Sequence, residues 1–205
     1  MSQLFLGIRL ECAKCHHHPF EKWGQEDFYG FAAFFSRIGR KGTGLSPPIS
    51  GGEEMVLVAK SGQVQHPLTG AVLPPKPLFP LASVNLEPST TVDPREQLAA
   101  WITSEENPFF GQVIVNRVWQ HHFGFGLVRT PSDFGVRTEP PSHPELLEDL
   151  ASRFIANGWS MKWLHREILL SAAYRQASKS RADGEKEDQV NTLLWRMNPK
   201  RLDIE

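Results

Sequence analysis

Hydrophobic patterning along the chain changes character near residue 93. Beyond it, apolar residues recur three and four positions apart, the period of a helix with one buried stripe. Asp93 followed by Pro94 is a cap with proline at the first helical position. It predicts a helix running to about Ser104 that buries Leu98, Ala99 and Ile102. Asn107-Pro108 repeats the signal ahead of Phe109, Val113, Ile114, Val118, Trp119 and Phe123, with Gly124 as the stop. Pro144 opens a third helix with the stripe Leu146, Leu147, Leu150, Ala151, Phe154 and Ile155, and Gly158 lies past its end. Ser160 caps a fourth, with Trp163, Leu164 and Ile168 inward. The charged stretch 178–191 reads as a solvated loop, and Arg201 to Glu205 begins a further periodic run.

Before residue 93 the pattern is mixed. Leu4, Phe5, Leu6, Ile8 and Leu10 lead toward a pair of cysteines with only Gly7 between them as a turn residue, which predicts a helix over 2–15 ended by His18-Pro19. Trp23, Phe28, Phe31, Ala32, Phe34 and Phe35 predict a second helix within 21–37. Glu26 and Asp27 fall at its start, where the helix dipole favours negative charge. Residues 39–54 hold five glycines and two prolines, a density that reads as an exposed loop without a regular element. Residues 55–59 read as a strand turning through Lys60-Ser61-Gly62-Gln63 into a second at 64–66. Six prolines between 67 and 92 then impose an extended path. The fold class these patterns predict is mainly α, a helical bundle with a small β-hairpin and a Pro/Gly-rich excursion in the middle.

Composition narrows the function classes. At 205 residues and 40% hydrophobic, the chain can bury the core of one large domain or two small ones. A net charge of -1 gives no electrostatic case for nucleic acid or an anionic membrane surface. No stretch approaches the roughly 20 apolar residues that span a bilayer. Residues 1–10 lack the charged start, long apolar run and cleavage site of a secretion signal.

The chemistry concentrates in Cys12-Ala13-Lys14-Cys15-His16-His17-His18. Two cysteines three apart, with a histidine directly after the second, have the spacing of a c-type haem attachment site. On a helix, Cys12 and Cys15 lie one turn apart on one face, so both thiols can add to the two vinyl edges of one porphyrin. His16, four positions after Cys12, can then reach the iron as proximal ligand. Other readings stay open on the same residues. A zinc or iron site needs four ligands, and Cys12, Cys15 and two of His16, His17 and His18 supply them only if consecutive residues turn inward together. The two cysteines, the only ones in the chain, could also close a disulfide. A thioredoxin-like redox pair would need a βαβ unit around it, and none is predicted.

Weaker signals lie elsewhere. His121 and His122 fall near a helix C-terminus, where the dipole favours an imidazolium. Met55, Met161 and Met197 are candidates for a distal haem ligand, although methionine more often fills gaps in a core. Asn116 and Arg117 inside an apolar helix predict a buried hydrogen-bonding anchor. Gly124-Phe125-Gly126 follows a helix instead of opening one after a strand, so it is no phosphate loop. No nucleophile elbow, P-loop or HExxH motif is present.

The run from Gln3 to Trp23, through Cys12-Ala13-Lys14-Cys15-His16-His17-His18-Pro19-Phe20, resembles the C-terminal end of the planctomycete cytochrome-C-like domain. Asn107-Pro108-Phe109-Phe110, Asn116-Arg117-Val118-Trp119 and Phe123-Gly124-Phe125-Gly126-Leu127-Val128 resemble the uncharacterised planctomycete domain usually fused to it, as do Pro141-Ser142-His143-Pro144-Glu145-Leu146-Leu147 and Arg175-Gln176. The resemblance implies three segments. Residues 1–38 are the end of the cytochrome-C-like domain, 39–92 a loop and short hairpin, and 93–205 a helical domain cut short at its C-terminal end. It further implies a larger, exported, multidomain parent chain at an extracytoplasmic location, the periplasm or cell surface. By pattern it assigns haem c to Cys12, Cys15 and His16, with a redox partner protein. His18 also matches and is kept as a metal-ligand candidate, with zinc or iron as the alternative to haem. The chain departs from the family pattern at His17, where relatives tend to carry Asp or Asn. The family's molecular role is unassigned, so enzymatic activity stays open. Electron transfer, a non-catalytic binding module stapled by metal or disulfide, and a polysaccharide-directed hydrolase are the three function classes that follow.

Overall fold

The computed structural model describes residues 1–42, 54–84, 86 and 92–199. The chain is mainly α with two small antiparallel two-stranded sheets, as the patterning predicts. It forms two compact units, one of Leu10–Glu106 and one of Met1–Arg9 together with Asn107–Glu205. The first nine residues therefore belong with the helical half of the chain, not with the cysteine motif that follows them.

In the unit Leu10–Glu106, the cysteine motif lies on a short 3-10 turn, Glu11–Lys14. Helix α1 spans Gln25–Ala33, and the Gly24 N–H donates to the Asp27 carboxylate at 2.9 Å to close its first turn. Phe31, Ala33, Phe34 and the preceding Trp23 are buried. Strand β1 (Ile38–Gly42) pairs antiparallel with β2 (Glu54–Val58), Ile38 opposite Val58. This corrects the reading of 39–54 as loop throughout, since residues 39–42 form a strand once a partner completes their ladder; positions 43–53 lie outside the described residues.

The expected hairpin between 55–59 and 64–66 does not form. Instead β3 (Val64–Gln65) pairs with β4 (Val72–Leu73). Two local causes are visible. The Ala59 N–H donates to the Arg37 carbonyl at 2.8 Å, extending the β1–β2 ladder away from residue 64. His66 Nδ1 accepts from the N–H groups of Leu68 and Thr69, and Gly70 takes the left-handed φ of 68° that closes a turn around Pro67. Helix α2, Pro94–Ile102, starts where Asp93 accepts from the Arg95 N–H at 3.0 Å. It buries Leu98, Trp101 and Ile102, while Ala99 is exposed. At about 100° per residue, Ala99 falls off the face that the other three share. Trp101 donates from Nε1 to the Phe79 carbonyl at 3.0 Å, pinning the proline-rich path to α2.

In the helical unit, the helix expected over 2–15 is broken. A π-helical turn, Ser2–Leu6, stops at Gly7, whose φ of 65° is left-handed. Phe134 accounts for the stop: its N–H donates to the Gly7 carbonyl at 2.8 Å, and a Cβ on Gly7 would come within 2.7 Å of its ring. Helix α3, Phe110–Phe123, is capped by Asn107 Oδ1, which accepts from Phe109 and Phe110, and ends at left-handed Gly124. Helix α4, Pro144–Ala156, ends ahead of Gly158, also left-handed. Helix α5, Met161–Leu170, begins under the Ser160 hydroxyl, which accepts from the Trp163 N–H at 3.2 Å. Short helices α6, Ala172–Arg175, and α7, Ala182–Glu187, follow. The second of these lies in the stretch expected to be a solvated loop. Gly184 explains it by lying flat against Trp195, where a Cβ would meet the indole at 2.4 Å.

The core of this unit joins Val115, Val118 and Trp119 of α3 to Leu147, Leu150 and Phe154 of α4 and to Leu164 and Ile168 of α5. Within it, Asn116 is fully buried and holds both backbone groups of Val128, donating to the carbonyl at 3.0 Å and accepting from the N–H at 2.9 Å. Arg117 donates to the Ser132 hydroxyl at 3.2 Å and to the Gln3 carbonyl at 3.4 Å. The anchor predicted from those two residues is thus present. Among the described residues, no helix is long and apolar enough to cross a membrane.

Candidate functional site

A 3-10 turn has three residues per turn, so side chains three apart eclipse one another. Cys12 lies on such a turn, Cys15 directly follows it, and Ala13 between them is buried. Both thiols are free and exposed. The His16 N–H bonds back to the Cys12 carbonyl at 3.3 Å, so the motif closes on itself as a compact turn.

The three histidines have different environments. His16 Nδ1 faces the His17 carbonyl at 2.5 Å. A carbonyl only accepts, so Nδ1 carries the proton and the Nε2 lone pair is free for a metal. His17 packs its ring against Gly24, where a Cβ would approach within 2.8 Å. His18 Nδ1 accepts from the N–H groups of Phe20 and Glu21 at 3.3 and 3.1 Å. In that tautomer the proton sits on Nε2, and a metal there would have to displace it. The His18 N–H also donates to the Trp23 carbonyl at 2.8 Å, folding residues 18–23 into a tight turn. His18 and His66 therefore share one design, a His-Pro turn closed by an imidazole lone pair.

The start of α1 braces the motif. Gln25 Nε2 donates to the carbonyls of Lys14 and Cys15, both at 3.1 Å. Two residues further, Asp27 holds Gly24 and the Lys76 ammonium, each at 2.9 Å. Burial pushes the Asp27 carboxyl up, but those two contacts outweigh it and hold the group below its ordinary 3.8. Gln25 carries no sequence signal of this role, because a glutamine at a helix start is an ordinary exposed residue until the backbone it reaches is known.

In donor type the residues suit haem attachment: two exposed thiols, one on the turn and one directly after it, and an adjacent imidazole whose Nδ1 faces a carbonyl. Among the described residues, no group of three or more His, Cys, Asp or Glu is arranged to hold a metal ion. Of the distal candidates, Met55 is exposed on β2, while Met161 and Met197 belong to the helical unit, Met197 packed against its core. His122 Nε2 lies 2.8 Å from His165 Nδ1, a pairing across α3 and α5.

Two family models match the chain. Residues 94–205 match PSD1, described as a protein of unknown function (DUF1553), and residues 1–40 match PSCyt2, described as a protein of unknown function (DUF1549). No curated protein and no solved structure matches it.

Proposed function

Because the chain belongs to the PSD1 family and carries a PSCyt2 match over its cysteine motif, we propose that it is part of an exported electron carrier holding one covalent haem. Cys12 and Cys15 would hold it as attachment thiols, and His16 would ligate its iron. The observation that carries this reading is the opposite tautomers of neighbouring imidazoles, with Nε2 free in His16 and protonated in His18. A metal-ligating histidine ordinarily donates its other ring N–H to a carbonyl or carboxylate, which fixes ring and tautomer, and the His17 carbonyl does this for His16. His18 is then a turn former and not a second ligand.

The bound haem supplies single-electron exchange. The protein's own part is to present the two thiols on and directly after the 3-10 turn, to aim the imidazole through His17, and to fix the turn's end through Gln25. Thioether formation is normally an extracytoplasmic reaction, so this reading places the chain outside the cytoplasm, facing a redox partner protein. The test is the visible spectrum of protein made in cells with cytochrome c maturation machinery. A split reduced band is expected, preserved in His18→Asn and altered in His16→Ala. Equal spectra for the two variants would refute the ligand assignment.

A further inference from the structure

Electron transfer at the cysteine motif makes no use of the pairing between His122 and His165. His122 lies in the last turn of α3 and His165 in the middle of α5, and both residues are half-buried. The core sets the backbone on each side. Phe123, next to His122, is buried, as are Leu164 and Ile168, which flank His165. Tyr174 of α6 stands edge-on to both His122 and Phe123, with ring centroids 5.6 and 5.8 Å apart. Two separate, packed helices thus bring His122 Nε2 and His165 Nδ1 to 2.8 Å, with the ring planes at 79°. Two nitrogen donors converge on one point.

A neutral imidazole has one N–H and one lone pair, and the proton can sit on either nitrogen. When the donor ring of the pair carries its proton on the outer nitrogen, two lone pairs face each other across the gap and can share a cation. Metal–imidazole bonds of about 2.0–2.1 Å meeting at roughly 90–110° place the two nitrogens about 2.9–3.4 Å apart. A small opening of the observed gap reaches that range. We propose that His122 and His165 form a two-histidine site for a late first-row transition-metal ion, Cu2+ in preference to Ni2+ or Zn2+, bridging α3 and α5. Imidazole suits these ions and copper(II) heads their affinity order, whereas Mg2+ and Ca2+ take oxygen ligands. Among the described residues no group of three or more His, Cys, Asp or Glu is arranged around a metal, so water or a small external ligand completes the coordination. The site is independent of the cysteine motif and stands or falls without the haem reading.

Cu2+ is the probe, added to the full chain with Cys12→Ala and Cys15→Ala so that the exposed thiols neither reduce nor bind it. Because a paramagnetic ion broadens only the resonances near it, NMR separates this site from copper held by the His16–His18 run. Substoichiometric Cu2+ is expected to broaden the ring resonances of His122, His165 and Tyr174, and Mg2+ to leave them sharp. His165→Phe, which keeps a flat ring and removes the donor, should leave Tyr174 sharp while broadening around His16–His18 persists. Cu2+ should also raise the melting temperature of the chain that keeps both histidines more than that of the variant, since a ligand that bridges two helices stabilises the folded state. If His165→Phe fails to fold, His122→Gln takes its place, and if both fail, Cu2+ against Mg2+ on the chain with both histidines decides. Sharp Tyr174 resonances at saturating Cu2+, or broadening that persists in a folded variant, would overturn the proposal.

Discussion

Gln25 is joined to Cys15 by a hydrogen bond of 3.1 Å from its side-chain amide to the cysteine carbonyl, and it reaches Lys14 in the same way. The first side chain of α1 thereby satisfies carbonyls at the end of a turn too short to satisfy them itself. Gln25→Leu keeps bulk and helix propensity and removes both bonds. Because the contact is exposed, the expected loss is about 1 kcal/mol, read as a lower urea midpoint. An unchanged midpoint would mean that Gln25 does not brace the motif.

His18 gives the sharpest contrast between a turn residue and a ligand. Asparagine can accept from backbone N–H groups two and three residues on, as Asn107 does from Phe109 and Phe110. His18→Asn should therefore retain near-native thermal stability, and His18→Ala should lose about 1 kcal/mol. If both variants lost the same stability along with bound metal or haem, His18 would be a ligand after all.

Asn116 and Gly126 form a single lock around Val128. Asn116→Ala leaves a buried N–H and carbonyl unpaired, at a cost of about 2–4 kcal/mol. A Cβ at Gly126 would meet Asn116 Oδ1 at 2.6 Å and the Val128 carbonyl at 2.4 Å, so Gly126→Ala breaks the same lock from the other side. Denaturant unfolding of the double variant should show less than the sum of the two losses. Full additivity would show that the two positions act separately.

Acid should weaken the unit Leu10–Glu106 through Asp93 and Asp27, whose carboxyls are both held down. The Arg95 guanidinium and N–H beside Asp93 hold its carboxyl at about 2, against an ordinary 3.8. Asp27 is also held below that value. For groups whose folded pKa lies below the unfolded one, the stabilisation is complete above about pH 4 and disappears as pH falls through the folded value. For Asp93 that window runs from about pH 4 down to about pH 2. Urea midpoints across it should fall more steeply for the native chain than for Asp93→Asn. Identical slopes would remove Asp93 from the acid response.

Which features could be read from the sequence follows from how local their physics is. Asp93-Pro94, Asn107-Pro108 and Ser160 announce helix starts because a cap and its N–H groups lie within three residues, and each performs that role. Gly124 and Gly158 mark stops for the same reason. Gly7 was readable only as a weak interruption, since the Phe134 ring that forces the break is far away in sequence. Strand pairing failed similarly: 55–58 chose residues 38–42, a distant partner, over the near one at 64–66. The cysteines and His16 were legible as spacing alone. What distinguishes His16 from His18 is which backbone groups their Nδ1 atoms meet, and no spacing encodes that.

Covalent haem on Cys12 and Cys15 can be tested by mass. Its most direct measurement is the intact mass, under denaturing conditions, of protein made alongside cytochrome c maturation machinery. The mass of one haem should remain attached, and it should be lost in the double variant Cys12→Ala/Cys15→Ala. An unmodified chain from cells that mature a control cytochrome would contradict it.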